Sequence, residues 1–123
     1  MDTKIDLDLA AQEITQRLPG WVARGLSVGP VTWRDQSRGW PPPIVADRAE
    51  APAPDSVGVR LTCGEEEGEV VLYVGGWADV IYWAGRADAD ALDICVGDYD
   101  APLTPAEFGQ ALDNFVANFQ PSN

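Results

Sequence analysis

Between Val70 and Gly85 the chain reads VVLYVGGWADVIYWAG, two runs of β-branched and aromatic residues hinged on Gly75 and Gly76. Such residues suit the pleated, half-buried surface of a strand, and a Gly-Gly pair supplies the positive φ that a tight hairpin requires. Alternation gives Asp79, Ile81 and Trp83 the parity of Trp77, with Ala78, Val80 and Tyr82 on the opposite face. If Val80 faces a core, Asp79 stands beside exposed tryptophans; a turn that resets the register would instead bury a tryptophan and leave Asp79 on an edge.

The pattern extends in both directions. Upstream, SVGVRLTC sets Val57, Val59, Leu61 and Cys63 against Gly58, Arg60 and Thr62, a half-buried strand, and GEEEGE is a charged turn. Downstream, GRADADA turns the chain and LDICVGD forms a further strand, with Leu92, Ile94 and Val96 opposite Asp93 and Cys95. An antiparallel meander is the economical reading. It ends in TPAEFGQALDNFVANF, where Thr104 caps, Pro105 takes the first helical position and Glu107 completes a capping box. Phe108, Leu112, Phe115, Val116 and Phe119 make a helical stripe that needs a sheet to cover.

Ahead of the meander, Leu7, Ala11, Ile14 and Leu18 recur at helical spacing, with Asp6 or Asp8 as cap and Pro19-Gly20 as the stop. WVARGLSVGPVTWRD predicts one or two short strands at a sheet edge. From Gln36 to Ser56 five prolines predict a long loop without regular structure, extended at Pro41 to Pro43 and held down by the aromatic anchor Trp40. The expectation is a single α+β domain over residues 1–123: an antiparallel β-sheet meander flanked by N-terminal and C-terminal helices, with a Pro-rich loop at about 36–56.

Composition narrows the chemistry. The chain is 123 residues long, 46% hydrophobic and 23% charged, ordinary for one globular core. No apolar run reaches the roughly 20 residues of a membrane-spanning helix, and MDTKIDLDLAAQEI lacks a signal peptide's layout, so the sequence reads as cytoplasmic and not membrane-bound. Cys63 and Cys95 sit in strand-like runs and read as reduced core thiols or, if two buried strands place them side by side, a bridge. With no histidine, no CxxC, no phosphate loop and no dinucleotide motif, neither a catalytic set nor a cofactor is expected. DADALD lacks the glycine and twelfth-position glutamate of a calcium loop and GDYD is too short for one, so no metal is expected either.

The net charge is −12 and unevenly spread: residues 1–64 carry eight acidic and seven basic groups, residues 65–123 twelve acidic groups and Arg86 alone. Such a field repels nucleic acid and anionic membranes and accelerates encounter with a basic partner, or it serves solubility alone. The five tryptophans, Trp21, Trp33, Trp40, Trp77 and Trp83, favour recognition, because tryptophan is enriched at interface hot spots. The expected binding surface draws charge from Glu65, Glu66, Glu67, Asp79, Asp98 and Asp100 and apolar anchors from Trp77, Trp83 and Tyr99, with Trp40 as a further contact.

From Val57 onward, the hairpin VVLYVGGWADVIYWAG, the short strand after it and the closing helix PLTPAEFGQALDNFVANF, set in intense negative charge, resemble the small acidic immunity proteins of bacterial polymorphic toxin systems. The resemblance implies a non-catalytic, stoichiometric inhibitor that masks the active site of a cognate protein toxin with a cationic cleft. A secretion chaperone or adaptor for a basic effector is the alternative, and a small-ligand-binding domain with an aromatic pocket a third.

Overall fold

A computed structural model describes residues 3–38 and 40–120. Helix α1 (Leu7–Ala23) opens the chain, followed by strands β1 (Ser27–Val28), β2 (Thr32–Asp35) and β3 (Ile44–Val45). The long strand β4 (Pro54–Cys63) then leads into β5 (Glu66–Tyr73), β6 (Ala78–Trp83) and β7 (Leu92–Val96), and helix α2 (Pro105–Val116) closes it. All strand pairs are antiparallel, in the order β3-β2-β4-β5-β6-β7, with β1 beside the end of β4. The expected α+β arrangement is therefore present: two terminal helices flank an antiparallel sheet.

Both helices lie on the same side. Val57, Val59, Leu61, Val70, Leu72, Ala78 and Val80 point toward them and are buried, together with Phe108, Leu112, Phe115, Val116 and Phe119 of the closing stripe. Gly68 lets α2 approach the sheet: a Cβ there would stand 2.6 Å from the Phe115 ring and 2.8 Å from the Ile81 carbonyl oxygen. The capping box of α2 forms as its sequence predicts, Glu107 N–H donating to Thr104 Oγ1 at 3.1 Å and Thr104 N–H to Glu107 Oε1 at 3.0 Å. Arg17 ties the helices together, its Nε 2.8 Å from Asp113.

Three expectations need correction. First, α1 does not stop at Pro19 but runs to Ala23, with Asp6 as its cap and Trp21 on its buried face. An interior proline costs about 3 kcal/mol. Burying a tryptophan-sized surface of about 200 Å² at about 25 cal/mol per Å² contributes about 5 kcal/mol, which outweighs it.

Second, the span from Gln36 to Ser56 is far from a plain loop. It holds two short 3₁₀ turns, Gln36–Arg38 and Arg48–Glu50, the strand β3 and the start of β4. Trp40, the expected anchor, is 87% exposed. Arg48 fastens the segment instead: its guanidinium lies 5.1 Å over the ring of the buried Trp33, pairs with Asp8 at 2.9 Å and donates to the Ala51 carbonyl at 2.6 Å. β2 is consequently interior to the sheet, between β3 and β4, and not an edge.

Third, the cysteines are free, and Cys95 is exposed, not a core thiol. Two strands separate Cys63 from Cys95, and the register puts them on opposite faces, so no bridge can close.

Candidate functional site

The β5–β6 register settles which side chains stand together. Val71 faces Asp79, Glu69 faces Ile81 and Glu67 faces Trp83, so the odd-numbered residues of both strands share the face that no helix covers. The even-numbered residues Val70, Leu72, Ala78 and Val80 are the buried ones. Asp79 thus stands on the open face beside Ile81 and Trp83, which are 42% and 37% exposed. β7 adds Asp93, opposite Ile81, and Cys95, opposite Asp79.

The hairpin end of this face carries a stack. Tyr73 and Trp77 have ring centroids 5.5 Å apart at 26°, and the Arg34 guanidinium lies 5.5 Å from the Tyr73 centroid while holding Asp55 through two 2.7 Å hydrogen bonds. The two glycines of the turn divide the work. Gly76 takes φ +94°, and Gly75 is where the Trp77 ring folds down, so any side chain there would strike it. Burial first, then the neighbouring Asp79 carboxylate, pushes the Tyr73 hydroxyl above its ordinary pKa.

Further along the face, Arg60 pairs with Glu67 at 3.0 Å, and a shallow cavity of about 160 Å³ lies among Arg60, Glu67, Glu69, Ile81 and Trp83. A larger groove of about 520 Å³ is floored by Gly58 and Val71 and walled by Thr32, Arg34, Ile44 and Arg60. Both depressions belong to the uncovered face. Its charged lining is mixed: Arg34 and Arg60 with Glu69 in the groove, and Arg60 with Glu67 and Glu69 in the smaller cavity.

Of the residues expected at the site, Glu67, Trp77, Asp79 and Trp83 come together on this face. The other six lie elsewhere. Glu65 sits exposed in the β4–β5 turn. Glu66 points to the helix side, where its Oε1 accepts from the Tyr82 hydroxyl at 2.6 Å and from the Gln120 N–H at 2.9 Å, pinning the segment that follows α2 to the sheet. Asp98 shapes the β7–α2 loop by accepting from the Asp100 and Ala101 N–H groups, Tyr99 lies under Lys4 at 4.5 Å, and Asp100 is exposed in that loop. Trp40 projects from the segment ahead of β3. Sequence reasoning did not count Glu69, Val71, Ile81 or Asp93 among the site residues, although alternation gives Ile81 the parity of Asp79 and Trp83; carried back to Glu67, the same alternation finds Glu69 and Val71.

Burial and the Glu66 hydrogen bond push the Tyr82 hydroxyl up to about 12. A folded pKa above the unfolded value near 10 means the fold favours the neutral phenol, a contribution complete below pH 10 and lost as pH rises toward 12. Urea midpoints are expected to hold steady up to about pH 10 and then fall, with Tyr82→Phe flattening the fall. An unchanged profile in the variant would contradict this coupling.

The thiol of Cys95 is pushed up by burial and then by Asp79 and Asp98, which disfavours the thiolate that nucleophilic chemistry requires. Among the described residues no group of three or more Cys, Asp or Glu side chains is placed to hold a metal ion, and no helix is long and apolar enough to cross a membrane. No family model, curated protein or solved structure matches the chain.

Proposed function

We propose that this chain is a non-catalytic immunity protein: a stoichiometric inhibitor that binds a cognate toxin domain through the uncovered face of its sheet and blocks a cationic active-site cleft. The observation that carries the reading is the pairing of exposed Ile81 and Trp83 with Glu67, Glu69, Asp79 and Asp93 on the side of the sheet that no helix covers. A face built on a hydrogen-bonded ladder is pre-organised and costs little ordering entropy on docking.

The mechanism is electrostatic capture followed by apolar seating. A chain of net charge −12 steers a cationic partner toward it at rates approaching 10⁸ to 10⁹ per molar per second at low salt, by order of magnitude. Carboxylates then take the positions that substrate phosphates would occupy, while Trp83 and Ile81 exclude water from the contact. Compared with a secretion chaperone, this mode must silence chemistry and not merely carry the partner.

The deciding experiment titrates the purified protein into an activity assay of a candidate toxin domain that co-purifies with it. Activity should fall linearly and vanish at one-to-one stoichiometry, with association slowing as salt is raised. A stable complex with undiminished activity would make the chain a chaperone or adaptor.

A further inference from the structure

The two ends of the sheet are finished differently. At one end β3 is two residues long and preceded by Pro41, Pro42 and Pro43, and β1 is two residues long and followed by Gly29-Pro30. Short strands and prolines are devices that close a sheet edge to further pairing. At the other end β7 has five residues, contains neither proline nor lysine, and pairs with β6 alone among the described residues. Its outward-pointing N–H and C=O groups form a row with no strand against it.

The helices also stop short of β7. Ile94 lies opposite Val80, which is 2% exposed, yet Ile94 itself is 46% exposed. Leu92 and Val96, on the same side, are half-buried. The aliphatic row of the core thus continues past its cover and ends open. Around it acidic groups predominate: Asp88 and Asp90 precede the strand, Asp93 lies within it, and Asp98 and Asp100 follow, against two nearby cations, Arg86, 3.5 Å from Asp88, and Lys4, 4.5 Å from the Tyr99 ring.

We propose that β7 is a docking edge that accepts an extended basic segment of the partner as an eighth strand. The added strand extends the ladder through its backbone, lays aliphatic side chains beside Leu92, Ile94 and Val96, and turns Lys or Arg side chains toward Asp93 and the flanking aspartates. This rests on the reading that the partner is a basic protein, and it names how that partner is gripped. A second copy of the chain is the competing occupant. Antiparallel self-pairing centred on Ile94 would oppose Leu92 to Val96 and Asp93 to Cys95, but it would bring together two chains of net charge −12 along their most acidic edge. Charge therefore selects the basic strand.

The test titrates isotopically labelled protein, at a concentration shown to be monomeric by sedimentation, with three short peptides. One alternates Lys and Val, one is the same peptide N-methylated at alternate residues, and one alternates Glu and Val. Alternate amides of residues 92–96 should gain at least about tenfold protection from exchange with the Lys-Val peptide and none with the others. Asp93→Lys, a change at an exposed position, should weaken Lys-Val binding about fivefold. Three results would overturn the proposal: no protection of β7, chemical-shift changes confined to Asp79, Ile81 and Trp83, or β7 protection that rises with protein concentration without peptide, the mark of self-pairing. Any of these alongside intact toxin inhibition leaves the immunity reading standing and moves the contact to the open face. Lys-Val protection of β7 alongside an uninhibited toxin sinks that reading and keeps the edge.

Discussion

Phe115→Ala is expected to cost about 3–5 kcal/mol, a large part of what holds a domain of this size together. Phe115 is 1% exposed, meets Phe119 edge to face with centroids 5.5 Å apart at 84°, and rests directly on Gly68. Phe119 in turn meets Tyr82 at 5.0 Å, so the three rings and one glycine form the joint between α2 and the sheet. Truncation leaves a void that the rigid strand beneath cannot collapse to fill. The partner change is Gly68→Ala, whose added carbon meets the Phe115 ring on one side and the Ile81 carbonyl on the other; overpacking of that kind costs about 1–3 kcal/mol. Because the clash is shared between a ring and a backbone atom, the two changes should not add: Gly68→Ala should cost less in the Phe115→Ala background, though not nothing. Urea unfolding of the four proteins measures the coupling. Full additivity, or a Phe115→Ala midpoint matching the parent, would show that the ring does not seat on Gly68.

That joint was readable in the sequence, since both of its sides are periodic. The stripe from Phe108 to Phe119 has helical spacing, and the even-numbered residues from Gly68 to Tyr82 are small or apolar without exception. The Thr104-Pro105-Glu107 start was equally plain, because a capping box is local chemistry that no distant contact need supply. What escaped the reading depends on contacts far apart in the chain. Pro19 looks like a helix stop until Trp21 is known to be buried, and the proline-rich span looks loose until Arg48 is seen lying on Trp33 beside Asp8. The three consecutive glutamates read as one charged turn, yet a strand begins within them. Alternation then sends Glu66 to the helices and Glu67 to the open face. Five tryptophans carried no mark to separate the buried Trp21 and Trp33 from the exposed Trp40. The open face itself was half legible: its parity was in the text, but its vacancy follows from both helices choosing the other side.

If the open face is the docking surface, Trp83→Ala should weaken binding to the partner by about 2 kcal/mol or more, roughly thirtyfold, with the loss almost wholly in dissociation. Trp83 is 37% exposed at the end of β6 and forms one wall of the cavity shared with Arg60, Glu67 and Ile81, so its ring can seat in a complementary partner surface. Asp79→Lys tests the charge at the middle of the same face. It stands between Val71 and Cys95 in register, already half-buried, and reversing its charge should cost at least as much as the tryptophan. Glu65→Gln and Asp100→Asn provide the contrast: both residues are exposed in turns, so they should alter the association rate and its salt dependence by a few-fold and leave dissociation unchanged. None of the four side chains belongs to the buried core, so circular dichroism should match the parent, with a lower urea midpoint expected only for Asp79→Lys, which removes the half-buried carboxylate beside Tyr73. Association and dissociation rates measured at low and high salt then separate the two classes. Equal and small effects from all four would mean that the charge acts only at long range and that the seated contact lies off this face, whereas dissociation accelerated by Trp83→Ala and Asp79→Lys alone would place it there.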